Sequence, residues 1–254
     1  MEIVKLLNEH NAILFLLLFS RMSALLAFFP FFSHINIPIS IKSALAFYLS
    51  VIFFPMVSLG YVNIDMESLV LAVLSEFALG FIAGLALNIV FAAVALAGEQ
   101  ISLVMGFSMA TILDPQTGVN SPIVSNFLTL LAVLTLLAFD GHHYMLLFLS
   151  KIVYHMKLGV FYPHTFIFNY FIKAVKEMFA FGFILAFPVV SLSLLADLVF
   201  GMLMKTMPQF NLLVLGYPIK IFFSVLVLVA VLYSMMILFK KEFLSVFKFL
   251  ALLI

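Results

Sequence analysis

Apolar residues run along this chain in long blocks, at about 11–30, 39–60, 68–98, 122–149, 171–200 and 210–239. Each block reaches the length of about 20 residues that a helix needs to cross the hydrocarbon core of a bilayer. Between them lie stretches rich in residues that stop helices: "PFFSHINIP" (30–38), "GYVNIDMES" (60–68), "KLGVFYPHTF" (157–166) and "GMLMKTMPQFN" (201–211). Asp65 and Glu67 stand near the start of the third block, where the helix dipole favours acids. The pattern predicts an all-α, polytopic integral membrane protein. We expect about six kinked hydrophobic helical blocks forming hairpins, within a single membrane domain over 1–254, and a central irregular loop at 105–121. No repeat at a solenoid period is present.

Composition sharpens this picture. The chain is 66% hydrophobic and 9% charged, with a mean hydropathy of +1.31, which no soluble domain of this size can carry on a polar surface. The 32 Phe and 14 Met suit irregular apolar gaps. With no Cys, disulfides and thiolate metal sites are excluded. A net charge of +1 argues against a nucleic-acid partner. The N-terminal apolar run lacks a small-x-small cleavage site and reads as a retained first helix rather than a signal peptide. Lys240, Lys241 and Lys248 mark the C-terminal tail as cytoplasmic, which places 105–121 on the outer side if every block crosses.

Polar residues inside the blocks need partners, because lipid offers none. Arg21 lies in the first block and must find a carboxylate, a carbonyl or water; it reads as a buried structural pair or as an ion or substrate contact. In the third block Ala72, Glu76, Gly80, Gly84, Asn88 and Ala92 recur every four residues and line one helix stripe. Gly80 and Gly84 admit a second backbone, while Glu76 and Asn88 supply polar stitches, so this stripe is a helix–helix interface. "DGHH" (140–143) interrupts the fourth block. Neighbouring histidines project about 100° apart on a helix and no HExxH is present, so a packing or helix-break role is expected, without a metal or other cofactor.

The stretch "MGFSMATILDPQTGVNS" (105–121) combines helix breakers with sticky residues. Gly106, Asp114, Pro115 and Gly118 deny it a continuous helix. Met105, Phe107, Met109 and Ile112 are more apolar than an ordinary wet loop, which suits a soft plug that closes a path by dewetting. A catalytic reading is also available. Gly106-Phe107-Ser108 partly matches a nucleophile elbow, with His142 or His143 as base, but the last Gly is missing and no strand precedes the Ser.

Four segments together resemble the FliR family of flagellar biosynthetic proteins: "RMSALLAFFPFFSHINIPISIKSALAF" (21–47), "AGEQISLVMGFSMATILDP" (97–115), "LLAFDGHHYMLL" (136–147) and "GMLMKTMPQFNLLVLGYPIKI" (201–221). The Pro-Gln-x-Asn plus Gly-x-Pro-x-Lys combination is the most specific. Relatives in virulence type III secretion share its core but often lack the Gly, so Gly216 points to the flagellar branch. Lys205 departs from the family's common Arg.

The resemblance implies a non-enzymatic subunit of the membrane export gate, in the bacterial inner (cytoplasmic) membrane at the flagellar basal body. It implies FliP-like and FliQ-like subunits in one complex, FlhB-like and FlhA-like proteins alongside, and exported proteins in transit. It also implies that one such chain closes a ring of FliP copies, and that its loop at 105–121 plugs the channel. The polar and broken segment carrying Lys205, Pro208, Gln209, Asn211, Pro218 and Lys220 is expected to contact a neighbouring subunit. A secondary transporter built on Arg21 and Glu76 is the competing reading; it predicts inverted repeats, and none is evident.

Overall fold

In hydrocarbon every backbone amide and carbonyl must be paired within the protein, which leaves helices or a closed barrel. This chain takes the helical solution. The computed structural model describes residues 9–29, 37–57, 66–107, 122–207 and 212–253, and among them there is no strand. The helices are α1 (Glu9–Phe28), α2 (Ile39–Phe53), α3 (Met66–Met105), α4 (Ile123–Ala138), α5 (Gly141–His155), α6 (Thr165–Thr206) and α7 (Tyr217–Leu250). Short 3-10 turns follow α2 and α7, and a π-helical turn, Leu212–Gly216, leads into α7.

Five of these elements are long and apolar enough to cross a membrane, and α4 with α5 makes a sixth if that broken pair counts as one span. The protein is therefore an all-α polytopic membrane protein.

Where the helices differ from the hydropathy blocks, local chemistry accounts for it. Helix α3 runs through Glu99 and Gln100 to Met105, because both are good helix formers and nothing stops the chain before Gly106. Met105 is thus the last residue of a helix, and buried, rather than part of a loop. The fourth block is split at Phe139–Asp140, where Asp140 takes the left-handed conformation at φ 58° that Asp tolerates better than most residues. Helix α6 begins at Thr165, so the charged "KAVKE" run is helical too. Pro188 inside α6 removes the amide that would bond the carbonyl one turn earlier.

The described parts of 1–89, 140–174 and 243–254 form one compact unit, and those of 90–139 and 175–242 another. In the first, Leu17, Leu18, Met22 and Leu25 of α1 and Leu79 of α3 are fully buried. Edge-on aromatic pairs tie α1 to its neighbours, Phe15 with Phe47 at 5.5 Å and Phe28 with Phe81 at 4.6 Å. In the second, Phe91 meets Phe239 edge-on at 5.1 Å. Helix α4 there presses so closely on α3 that a Cβ on Gly98 would lie 2.3 Å from Ser125 Cα. The Ser125 hydroxyl donates to the Ala95 carbonyl at 2.9 Å across the same contact.

Candidate functional site

The first unit is organised around one ion pair. Arg21 of α1 donates from Nε to Glu76 Oε2 of α3 at 2.5 Å, and neither side chain is exposed to solvent. A second guanidinium nitrogen donates to the Ile152 carbonyl of α5 at 3.3 Å. The other carboxylate oxygen of Glu76 accepts the Gly159 amide at 2.6 Å. Gly159 sits at φ 80°, a conformation that glycine alone adopts without strain. Two residues thereby join α1, α3 and the end of α5 with the turn that follows it, three segments distant in sequence. Of the two readings open for Arg21, the geometry favours the structural pair.

The four-residue stripe of α3 continues from this pair. A Cβ on Gly80 would lie 2.5 Å from the Arg21 carbonyl oxygen and 2.8 Å from Ala24 Cβ. One on Gly84 would lie 2.7 Å from Phe28 Cβ. Asn88 donates to the Phe28 carbonyl at 3.3 Å. Glu76, Gly80, Gly84 and Asn88 therefore lie against α1 of the same chain. The helix that fills the stripe is α1 of the same chain, which brings both the arginine and the small residues the stripe requires.

In the second unit, polar rungs cross between α6 and α7. Lys220 donates to both oxygens of Asp197 at 2.7 and 2.8 Å. One turn along each helix, the Ser193 and Ser224 hydroxyls are 2.8 Å apart. Lys220 is 5% exposed and Asp197 51%. A cleft of about 250 Å³ opens beside them, floored by Lys220 and walled by apolar side chains such as Leu195, Val199 and Phe223.

The stop of α3 is equally specific. Gly106, at φ 91°, donates to the Leu103 carbonyl, and Phe107 donates to the Ser102 carbonyl. This is the Schellman pattern of a helix closed by a left-handed glycine. At the head of α5, Asp140, His142 and His143 each offer a donor atom, all within 4.8 Å of one another.

Comparison with known proteins decides the family. Residues 12–246 match the model of the bacterial export proteins, family 1.

The chain belongs to this family.

Among its relatives, the flagellar biosynthetic protein FliR of Bacillus subtilis (strain 168) is 36% identical over 219 residues, covering 85% of this chain and 84% of that protein. The protein of the same name from Aquifex aeolicus (strain VF5) is 32% identical over 251 residues, 96% and 95% of the two chains. That of Pectobacterium carotovorum subsp. carotovorum is 31% identical over 210 residues, 83% and 80%.

Within this export-family chain the remaining expected site residues fall as follows. Phe107 is half-buried at the turn after α3, whereas Ser108, Met109, Ile112, Asp114, Pro115 and Gly118 lie outside the described residues. Pro208, Gln209 and Asn211 also lie outside them. Lys205 is exposed in the last turn of α6, and Pro218 is exposed in the first turn of α7. Lys220 lies in the first turns of α7. Its ammonium is buried and already held by Asp197 of the same chain.

Sequence reasoning missed this pairing, although a signal was present: Ser193 and Asp197 share one face of α6, and Lys220 and Ser224 one face of α7. It also missed Gly98 and Gly182. A Cβ on Gly182 would meet the Ala93 carbonyl oxygen at 3.0 Å and the Leu96 side chain at 2.8 Å.

Proposed function

We propose that this protein is the FliR-type subunit of the membrane export gate in the flagellar type III secretion apparatus, and that it carries out no covalent chemistry. Membership of the export family over residues 12–246 is the observation that carries this reading. The distribution of burial supports it. The span within α3 is 61% buried, whereas the spans at α2 and at α7 are each only 17% buried. Outside the buried faces, α2, α6 and α7 present Phe47, Phe183, Phe187 and Phe222 outward. Aromatic surface of this kind suits neighbouring subunits as well as lipid.

In this reading the protein sits in the bacterial inner membrane at the basal body, in one complex with FliP-like and FliQ-like subunits. FlhB-like and FlhA-like proteins stand alongside, and unfolded flagellar proteins pass through. The segment that follows the Gly106 stop plugs the path when no substrate is in transit. The polar segment from Lys205 to Pro218 touches a neighbouring subunit.

The test has two parts. Affinity purification from detergent-extracted membranes should recover FliP-like and FliQ-like chains at fixed ratio, and recovery of this chain alone would refute the assignment. Deleting residues 108–117 leaves the helix stop intact, so the complex should still assemble but leak. Ion conductance or small-solute uptake in vesicles should rise at least tenfold in idle complexes; an assembled deletion mutant as tight as wild type would assign the seal to another subunit.

A further inference from the structure

We propose that Asp140, His142 and His143 form a site for a divalent transition-metal ion of the Zn²⁺ or Cu²⁺ class, at the break between α4 and α5. Side chains at adjacent helix positions start out about 100° apart, which by itself points two histidines away from one ion. At the first turn of α5 the rings nevertheless come together, with centroids 4.2 Å apart and planes inclined by 40°. Asp140 completes the group. Its left-handed backbone makes no side-chain cap on α5, so the carboxylate is not used on the helix amides. It lies instead 3.3 Å from His143 Nδ1.

That distance has a meaning for coordination. Two donors bound to one ion at about 2.0–2.1 Å with a tetrahedral angle between them stand about 3.3–3.4 Å apart. The carboxylate oxygen and the imidazole nitrogen already stand at that separation. One donor atom from each of the three residues lies within 4.8 Å of the other two, so a shift of at most about 1.5 Å in the third donor brings it to bonding distance. His142 also holds its Nδ1 buried with no hydrogen-bond partner among the described residues, a state that polar atoms inside proteins seldom keep. Asp140 and His143 are 70% and 62% exposed at their side chains, which leaves the outer positions of an ion open to water.

The donor set selects the ion. Two imidazoles and one carboxylate suit Zn²⁺, Ni²⁺ or Cu²⁺, whereas Ca²⁺ and Mg²⁺ prefer oxygen donors throughout. Because the ligands come from residues 140, 142 and 143, a bound ion would bridge the residue at the break to the first turn of α5. Its role would be a local staple, with no catalytic part.

The experiment uses the detergent-extracted complex carrying a tag that contains no histidine. Cu²⁺ is titrated in and followed by electron paramagnetic resonance, and Zn²⁺ is then added as competitor. The expected result is a saturable Cu²⁺ signal showing two imidazole nitrogens, displaced by Zn²⁺. Asp140→Asn and His143→Gln should each weaken binding at least tenfold, while His155→Gln, at the far end of α5, should leave it unchanged. The proposal is overturned if wild type shows no saturable site, if the spectrum shows fewer than two nitrogens, or if Asp140→Asn and His143→Gln bind as tightly as wild type. Should a variant fail to assemble, the wild-type spectrum decides.

Discussion

Replacing Glu76 by Leu should be among the most damaging single changes in the first unit, and replacing Arg21 at the same time should undo most of the damage. The argument follows from burial. Both side chains of the pair are fully removed from solvent. Removing the carboxylate leaves a guanidinium with one carbonyl partner, at Ile152, and strands the amide of Gly159. Breaking a buried pair by deleting one member costs about 3–5 kcal/mol, and an orphaned buried amide adds about 1–3 kcal/mol. The single variant should therefore lose about 4–8 kcal/mol, enough to unfold a marginally stable unit.

In Arg21→Met with Glu76→Leu no charge is left inside, and the only remaining fault is the Gly159 amide. The double variant should then lie within about 1–3 kcal/mol of wild type. Equilibrium unfolding in mixed micelles across the four members of this double-mutant cycle gives the coupling directly, which should be about 3 kcal/mol or more. A Glu76→Leu variant within about 1 kcal/mol of wild type, or a double variant worse than either single, would refute the claim that this pair holds the unit together.

Three further outcomes can be checked in the same preparations. Gly98→Ala should destabilise by about 1–3 kcal/mol through its clash with the Ser125 backbone, while Gly201→Ala, which meets nothing within 4 Å, should be neutral or slightly stabilising in thermal unfolding. At the rung between α6 and α7, Asp197→Leu should cost more than Lys220→Met, about 2–3 against about 1 kcal/mol, because the lysine is the buried member; equal losses would count against this asymmetry. Gly106→Ala should strain the left-handed stop by about 1–2 kcal/mol and speed hydrogen exchange of amides near Ser102–Met105, with little effect elsewhere.

The helical architecture was legible because an apolar chain of this composition has few alternatives, and the period of four along α3 marked the face that packs. That Arg21 and Glu76 belong to each other was not legible. Each announced only that it needed a partner, and 55 residues separate them. The stripe left open which backbone fills it, since spacing records how closely a backbone can approach and carries no information on whose backbone it is. The partner of Lys220 was hidden for a related reason: sequence groups it with its neighbours, whereas in space it meets Asp197, one helix back. The stop at Gly106 was readable from the residue itself. The break at Asp140 was readable as a break, but the convergence of its two histidines depended on side-chain conformations that helical angles alone do not specify.

The buried pair also sets an order of events during synthesis. Arg21 leaves the ribosome 55 residues ahead of Glu76 and 131 ahead of Ile152. At about 5–20 residues per second, the wait for the carboxylate lasts about 3–11 s. Through that interval α1 holds a bare cation that costs about 2.5–3.5 kcal/mol near the centre of a membrane helix. Helix α1 therefore gains the partner of its charge only when α3 arrives. The polar demand of α1 is met by a residue encoded much later in the message.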